Sequence, residues 1–134
     1  RQRQMCIRDR FSAWVKQQQS ELILIEGNHD VIPAWKFKQL GITVTPDFKE
    51  DTFYFSHFPS QKEENFVFCG HVHPGVKLKG AGLQQLKIPC FYQSQNQLIL
   101  PAFGAFTGLH ILTPKEGDCV YITSGKEVME IDKN

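Results

Sequence analysis

Several things are scarce in this sequence, and each shortage closes off a class of protein. No apolar run approaches the ~20 residues that a membrane-spanning helix needs. The four cysteines, Cys6, Cys69, Cys90 and Cys119, are far apart and form no Cys-x-x-Cys pair, so no disulfide framework is expected. Cys69, Cys90 and Cys119 lie in apolar runs and read as small buried residues, a usage that suits a reducing cytoplasm. The formal net charge is only +1, without the basic excess usual in nucleic-acid-binding domains. A local patch can still serve, and Lys77, Lys79 and Lys87 are the candidates, although a solvated strand face is the plainer account of them. Repeats and low-complexity segments are absent. Upstream of the histidine motifs there is also no acidic pair of the kind that water-activating hydrolytic sites use.

What is present is enough for one domain. The 134 residues are 41% hydrophobic, and eleven Phe supply much of the core. Residues 1–10 are basic and unpatterned, resemble a translated sequencing-adaptor read, and are expected to be a non-native or disordered leader. Phe11, Trp14 and Val15 have helical spacing and predict the end of an amphipathic helix over 11–19. Glu21 to Ile25 is continuously apolar after its first residue, the pattern of a parallel strand buried on both faces. Pro33 to Leu40 suits a short helix, with Pro33 in its first turn and Gly41 just past its end. From residue 53 onward the chain reads as strands: 53–55, 66–68, 76–79, 85–93, 97–100, 119–123 and 127–131. Gly80-Ala81-Gly82 and Ser94-Gln95-Asn96 read as hairpin turns. An α/β start followed by an antiparallel-rich remainder predicts two packed sheets with helices outside.

Four of the five histidines fall in three short segments, each after a strand-like run. In Gly27-Asn28-His29-Asp30, the glycine permits a tight turn and the Asn28 amide oxygen is a candidate metal ligand. His29 is a candidate acid or charge stabiliser, oriented by a carboxylate such as Asp30. In Gly70-His71-Val72-His73, strand alternation would send both imidazoles to one side, where they can hold one metal or two adjacent ones. His57, between these motifs, gains weight from their company. His110 has no partner in the sequence and reads as structural.

Taken together these segments resemble the calcineurin-like metallophosphoesterase superfamily, whose motifs run Asp-x-His, Gly-Asp-x-x-Asp, Gly-Asn-His-Asp/Glu, a single His, and Gly-His-x-His. The last three match 27–30, 57 and 70–73, and the first two have no counterpart here. The stretches 86–92, 98–108 and 117–118, with His73-Pro74-Gly75-Val76, are similar to the bacterial DNA-ligase-associated metallophosphoesterases. The Pro101-to-Gly108 stretch itself reads as a tight structural turn, with its two Phe rings packed on the core.

The resemblance implies an α/β fold, a double β-sandwich flanked by helices, with two metals at the carboxyl ends of strands. It implies that Asn28, His57 and His71 ligate one metal and His73 the other, with His29 on a phosphate oxygen or leaving group and Asp30 steadying it. Nitrogen and oxygen ligands suit Mn, Fe or Zn, and the resemblance favours Mn. The implied activity is hydrolysis of DNA phosphodiesters, as a phosphodiesterase or endonuclease, with DNA as substrate and a DNA ligase as partner in repair. A small-nucleotide or lipid pyrophosphate phosphodiesterase, and an inactive binding module, are the alternatives. The missing motifs predict a chain lacking its N-terminal strands, on the order of sixty residues at ~30 per βα unit. Such a chain is expected to bind at most one metal, to hydrolyse negligibly by itself, and to associate through exposed apolar surface.

Overall fold

The structure is a computed structural model that describes residues 2–60, 64–80, 84–104, 107–124 and 126–131, with side chains from residue 9 onward. The chain divides into two units, Arg1–Pro46 and Asp47–Asn134.

In the first unit, α1 (Gln2–Lys16) reaches back through residues 2–10, where no element was expected. Of its apolar positions, Val15 faces inward and Phe11 is partly exposed. Val15 is buried, and the Phe11 ring meets Phe37 edge-on at 6.2 Å. β1 (Ile23–Ile25), α2 (Ala34–Lys38) and β2 (Thr43–Thr45) form a βαβ unit, with β1 and β2 parallel and Leu24 opposite Val44. Pro33 precedes α2 with φ −57°, so its ring supplies the entry geometry. Gly41, at φ +81°, ends the helix by a Schellman arrangement: its N–H donates to the Lys38 carbonyl and the Ile42 N–H to that of Phe37. Ile42 is buried just beyond. β1 was expected to be buried on both faces, yet all three of its residues are half-buried. Among the described residues it has a ladder partner on one side only, and a single-sided ladder leaves its apolar run partly open.

The second unit holds the remaining strands: β3 (Asp47–Glu50), β4 (Phe53–Ser56), β5 (Phe66–Cys69), β6 (Pro74–Lys79), β7 (Gln85–Pro89), β8 (Phe91–Ser94), β9 (Gln97–Ile99), β10 (His110–Ile111), β11 (Cys119–Thr123) and β12 (Val128–Glu130). Seven of them form one sheet in the order β12-β11-β8-β9-β5-β4-β3, and three form a second in the order β10-β6-β7. The sheets meet through Val67, Cys69, Cys90, Tyr92, Ile99, Val120 and Ile122 on one side and Val76 on the other, with Leu78 and Ile88 packed against them. Alternation along β5 explains the partition: Val67 and Cys69 face this core, while Phe66 and Phe68 face away, Phe68 stacking on Phe55 of β4 and meeting Phe53 and Phe66 at an angle.

The fold is thus mixed α/β and dominated by packed sheets, as the sequence predicts. Both helices seen among the described residues belong to the first unit. No described helix is long and apolar enough to cross a membrane. The predicted strand 85–93 is two strands in different sheets. Pro89 has no N–H to continue the ladder, and the chain turns at buried Cys90, whose N–H donates to the Pro74 carbonyl. Cys69 and Cys90 are buried as expected, but Cys119 is only half-buried. The 94–96 turn forms, with Gln95 at φ +51°, whereas residues 81–83 of the other hairpin turn lie outside the described residues. Of the described elements, β2, β3 and β10 were not predicted.

Candidate functional site

Three neighbouring parallel strands release the chain at one edge of the seven-stranded sheet. β4 pairs with β5 in parallel, Ser56 opposite Cys69, and β5 pairs with β9 in parallel, Cys69 opposite Ile99. The carboxyl ends of all three therefore coincide. His57 follows β4 directly, Gly70-His71-Val72-His73 follows β5, and the Pro101–Gly108 segment follows β9 by way of Leu100. The Gly70 N–H donates to the His57 carbonyl at 3.1 Å, and the Leu100 N–H to that of Cys69 at 2.8 Å, so the ladder continues one step into the loops.

That register sets His57 Nε2 3.2 Å from His71 Nδ1. The two rings are hydrogen-bonded, and because two imidazole nitrogens ligating one tetrahedral ion at ~2.0–2.1 Å stand about 3.3 Å apart, the pair also has the spacing of two ligands to one cation. Phe58, half-exposed, flanks both rings, edge-on to His57 with centroids 4.8 Å apart and 4.4 Å from His71.

The Gly70–His73 segment is not the extended strand that the alternation argument assumes. The Val72 N–H donates to the Gly70 carbonyl at 2.7 Å across His71, whose φ is +64°, a three-residue turn of the strained hand. His73 is also left-handed, at φ +54°. Two non-glycine residues in this region within three positions are a local cost that surrounding bonds must hold in place. The restraint on His73 is visible. Its carbonyl accepts from the His110 N–H at 2.9 Å, and its Nδ1 donates to the Thr107 carbonyl at 2.8 Å. A proton held on Nδ1 leaves the Nε2 lone pair available as a ligand. Thr107 is fixed in turn by its hydroxyl, which donates to the Gly104 carbonyl at 2.7 Å, and by Gly108 at φ +77°.

The Pro101–Gly108 segment is therefore more than a turn packed on the core. Phe103 is fully exposed, Phe106 lies outside the described residues, and Thr107 orients a candidate ligand through its backbone. His110, read as structural, braces His73 by its amide. Nothing in the side-chain pattern signalled Thr107, because the contact belongs to a carbonyl that any residue carries.

Asn28, His29 and Asp30 belong to the first unit and are exposed in a turn after β1. The Asp30 carboxylate accepts from the Gly27 N–H at 2.6 Å and the Asp30 N–H donates to the Gly27 carbonyl at 3.2 Å, so this acid closes the turn on itself. Among the described residues no hydrogen bond joins Asp30 to His29, and the expected orientation of His29 by that carboxylate is not the contact formed. Cys69, one residue before Gly70, faces the core, and burial pushes its thiol up to about 11, which keeps it neutral and a poor ligand. Among the described residues no group of three or more His, Cys, Asp or Glu side chains converges on one point, so the imidazole pair is the nucleus of the site.

Fold and cluster together define a mixed α/β protein with two packed sheets and an imidazole pair on the carboxyl edge of its parallel strands. The chain is similar to the crystal structure of a Pseudomonas putida nuclease MPE, at a TM-score of 0.71 and 31% identity over 90% of this chain. It spans 59% of that protein's length. No protein-family model and no curated protein matches it.

Proposed function

We propose that this chain carries part of the metal site of a calcineurin-like metallophosphoesterase of the DNA-ligase-associated type, a metal-dependent hydrolase of DNA phosphodiesters. The observation that supports it most is the His57–His71 couple, 3.2 Å apart at the carboxyl ends of adjacent parallel strands. Similarity to a protein named a nuclease adds to it. In this reading His57 and His71 hold one cation and His73 offers Nε2 to a second, and the motif resemblance assigns the Asn28 amide oxygen to the first. Mn is the favoured ion, with Fe or Zn compatible with the same nitrogen and oxygen donors. When bound, the ions supply Lewis acidity and neutralise phosphoryl charge.

The chain's own residues do the rest. His29, exposed on its turn, donates a proton or hydrogen bond to a phosphate oxygen or leaving group. Asp30 holds the turn that presents Asn28 and His29, which is a positioning role. Thr107 fixes the His73 tautomer, and Phe58 limits the rotation of both paired imidazoles and excludes water from one side of them. The site motifs found here offer the second ion only His73, so the chain by itself is proposed to retain one ion and to hydrolyse negligibly. A DNA ligase is the proposed partner of the whole enzyme.

Cobalt titration followed by its visible absorption tests the site. One ion per chain is expected for the wild type, with the bands lost in His57→Ala and in His71→Ala and retained in His110→Ala. Equal binding by all four proteins would overturn the assignment.

A further inference from the structure

The β6–β7 hairpin carries three lysines that the proposed site does not use. Antiparallel register sets Lys77 directly opposite Lys87, and Lys79 falls on the same face by alternation along β6. Val76 is buried and Leu78 and Ile88 pack on the core, so the lysine face is the solvent face, and all three lysines are exposed. Among the described residues none of their side chains has an ion pair or hydrogen bond. Like charges directly across an antiparallel pair are destabilising. Lysine on an edge strand discourages unwanted strand pairing, and β7 is an edge strand, which accounts for Lys87. β10 pairs only with Pro74 and Gly75, so β6 is also an edge at Lys77 and Lys79, but edge protection does not require two lysines directly opposite each other. Repulsion kept between the directly opposed Lys77 and Lys87 is relieved by an anionic partner.

The position of the ridge says which one. β6 begins at Pro74, immediately after His73. At ~3.3 Å per residue, Lys77 lies ~13 Å and Lys79 ~20 Å along the strand from His73. The step of ~6.6 Å between the two lysines is comparable with that between neighbouring phosphates of one nucleic-acid strand. With a net charge of only +1, the chain offers no general positive field to do the same work.

We propose that Lys77, Lys79 and Lys87 form a docking surface for the phosphodiester backbone of a nucleic-acid strand leading into the histidine site. This rests on the phosphoesterase reading for what happens at the end of the strand, but the surface can be tested without it. The probe is a fluorescent single-stranded oligonucleotide, titrated by anisotropy against the full chain at several salt concentrations. Each phosphate contact contributes about 0.7 to the slope of log affinity against log salt. The Lys77→Gln/Lys79→Gln/Lys87→Gln variant is expected to lose about 2 from that slope, so that the affinity gap from wild type narrows about 20-fold between 50 and 200 mM salt. The corresponding triple Arg variant should keep the wild-type slope, and matched melting curves show that the folds are intact.

Equal slopes for wild type and the Gln variant would overturn the proposal. Lysine-dependent binding of polyglutamate as tight as that of the oligonucleotide would also overturn it, in favour of an acidic protein. Cobalt titration of the same samples separates the two readings. Lost cobalt binding with lysine-dependent oligonucleotide binding intact sinks the phosphoesterase site and leaves the surface standing. Intact cobalt binding with unchanged slopes does the reverse.

Discussion

Placing a methyl group on Gly75 is a direct test of how the ligand loop is braced. Gly75 is buried in β6, opposite Ile111 of β10, and the Leu112 N–H donates to its carbonyl at 2.8 Å. A Cβ there would stand 2.5 Å from Leu109 Cγ and 2.6 and 2.7 Å from its two methyls. All three branch atoms collide at once, so rotating one bond at the tip of Leu109 does not clear the clash and β10 must shift. Overpacking of this kind costs about 1–3 kcal/mol. For a domain of this size that is a melting-temperature drop of roughly 3–15 °C. Because β10 begins at His110, whose amide holds the His73 carbonyl, the His73 ring is expected to lose its fixed orientation along with stability, read in its nitrogen-15 NMR signals. Differential scanning fluorimetry and urea titration give the stability. The control is Gly75→Ala with Leu109→Ala, which removes the colliding branch and is expected to recover most of what the added methyl costs relative to Leu109→Ala alone. A single variant within about 0.5 kcal/mol of wild type, or a double variant showing no recovery, would refute the reasoning.

Three other outcomes follow from the same structure. Tyr92 donates a hydrogen bond to the buried Asp118, which also accepts from the Lys115 N–H at 2.8 Å, so Tyr92→Phe is expected to cost about 1–3 kcal/mol in urea unfolding. Burial, helped by Asp118, pushes the Tyr92 hydroxyl up to about 12, and burial pushes the Cys90 thiol up to about 11. Above their ordinary values of 10.0 and 9.0 the unfolded chain loses these protons before the native one does, so the stability they contribute, full below pH 9, should fall between pH 9 and 12. Tyr92→Phe should flatten the upper part of that fall, and a flat pH–stability curve from 9 to 12 would count against both burials. Gly108→Ala meets no neighbour within 4 Å but is strained at φ +77°, so it should cost about 1 kcal/mol and loosen the Thr107 carbonyl. Nitrogen-15 NMR of the His73 ring should then show the Nδ1–H tautomer of the wild type giving way to a mixture.

The strands that sequence reading found are those where alternation or an aromatic run is unbroken: Phe53 to Phe55, Phe66 to Phe68 and Cys119 to Thr123. It missed β2 and β3 because Pro46 and the charges of Asp47, Lys49 and Glu50 interrupt the pattern, although Thr43-Val44-Thr45 is rich in β-branched residues. It merged β7 with β8 because a change of sheet at Cys90 leaves no mark on periodicity beyond Pro89. The site fared in a similar way. His57, His71 and His73 were legible from residue type and from the apolar runs before them. The reason given for grouping His71 with His73, strand alternation, does not hold, because two left-handed residues replace the strand. What joins His57 to His71 is the parallel register of β4 and β5, a long-range fact absent from either local segment. Asp30 was legible as a residue and misread as a contact, since a short acid three residues past a glycine amide closes its own turn.

The parallel ladder has a consequence for how the protein assembles. The β3–β4, β6–β7, β8–β9 and β11–β12 pairs are antiparallel and close in sequence. β5, in contrast, must find β9 across thirty residues, Val67 to Gln97, and β6 must find β10 across thirty-six, Pro74 to His110. Chain closure of that length is slow and gains little until many contacts form together. The loops that carry His71, His73 and Thr107 are ordered by these late pairings, while His57 is set by the β4–β5 ladder. Their edge of the sheet should therefore mature last, and the appearance of cobalt absorption during refolding would mark the arrival of the finished topology rather than the collapse that precedes it.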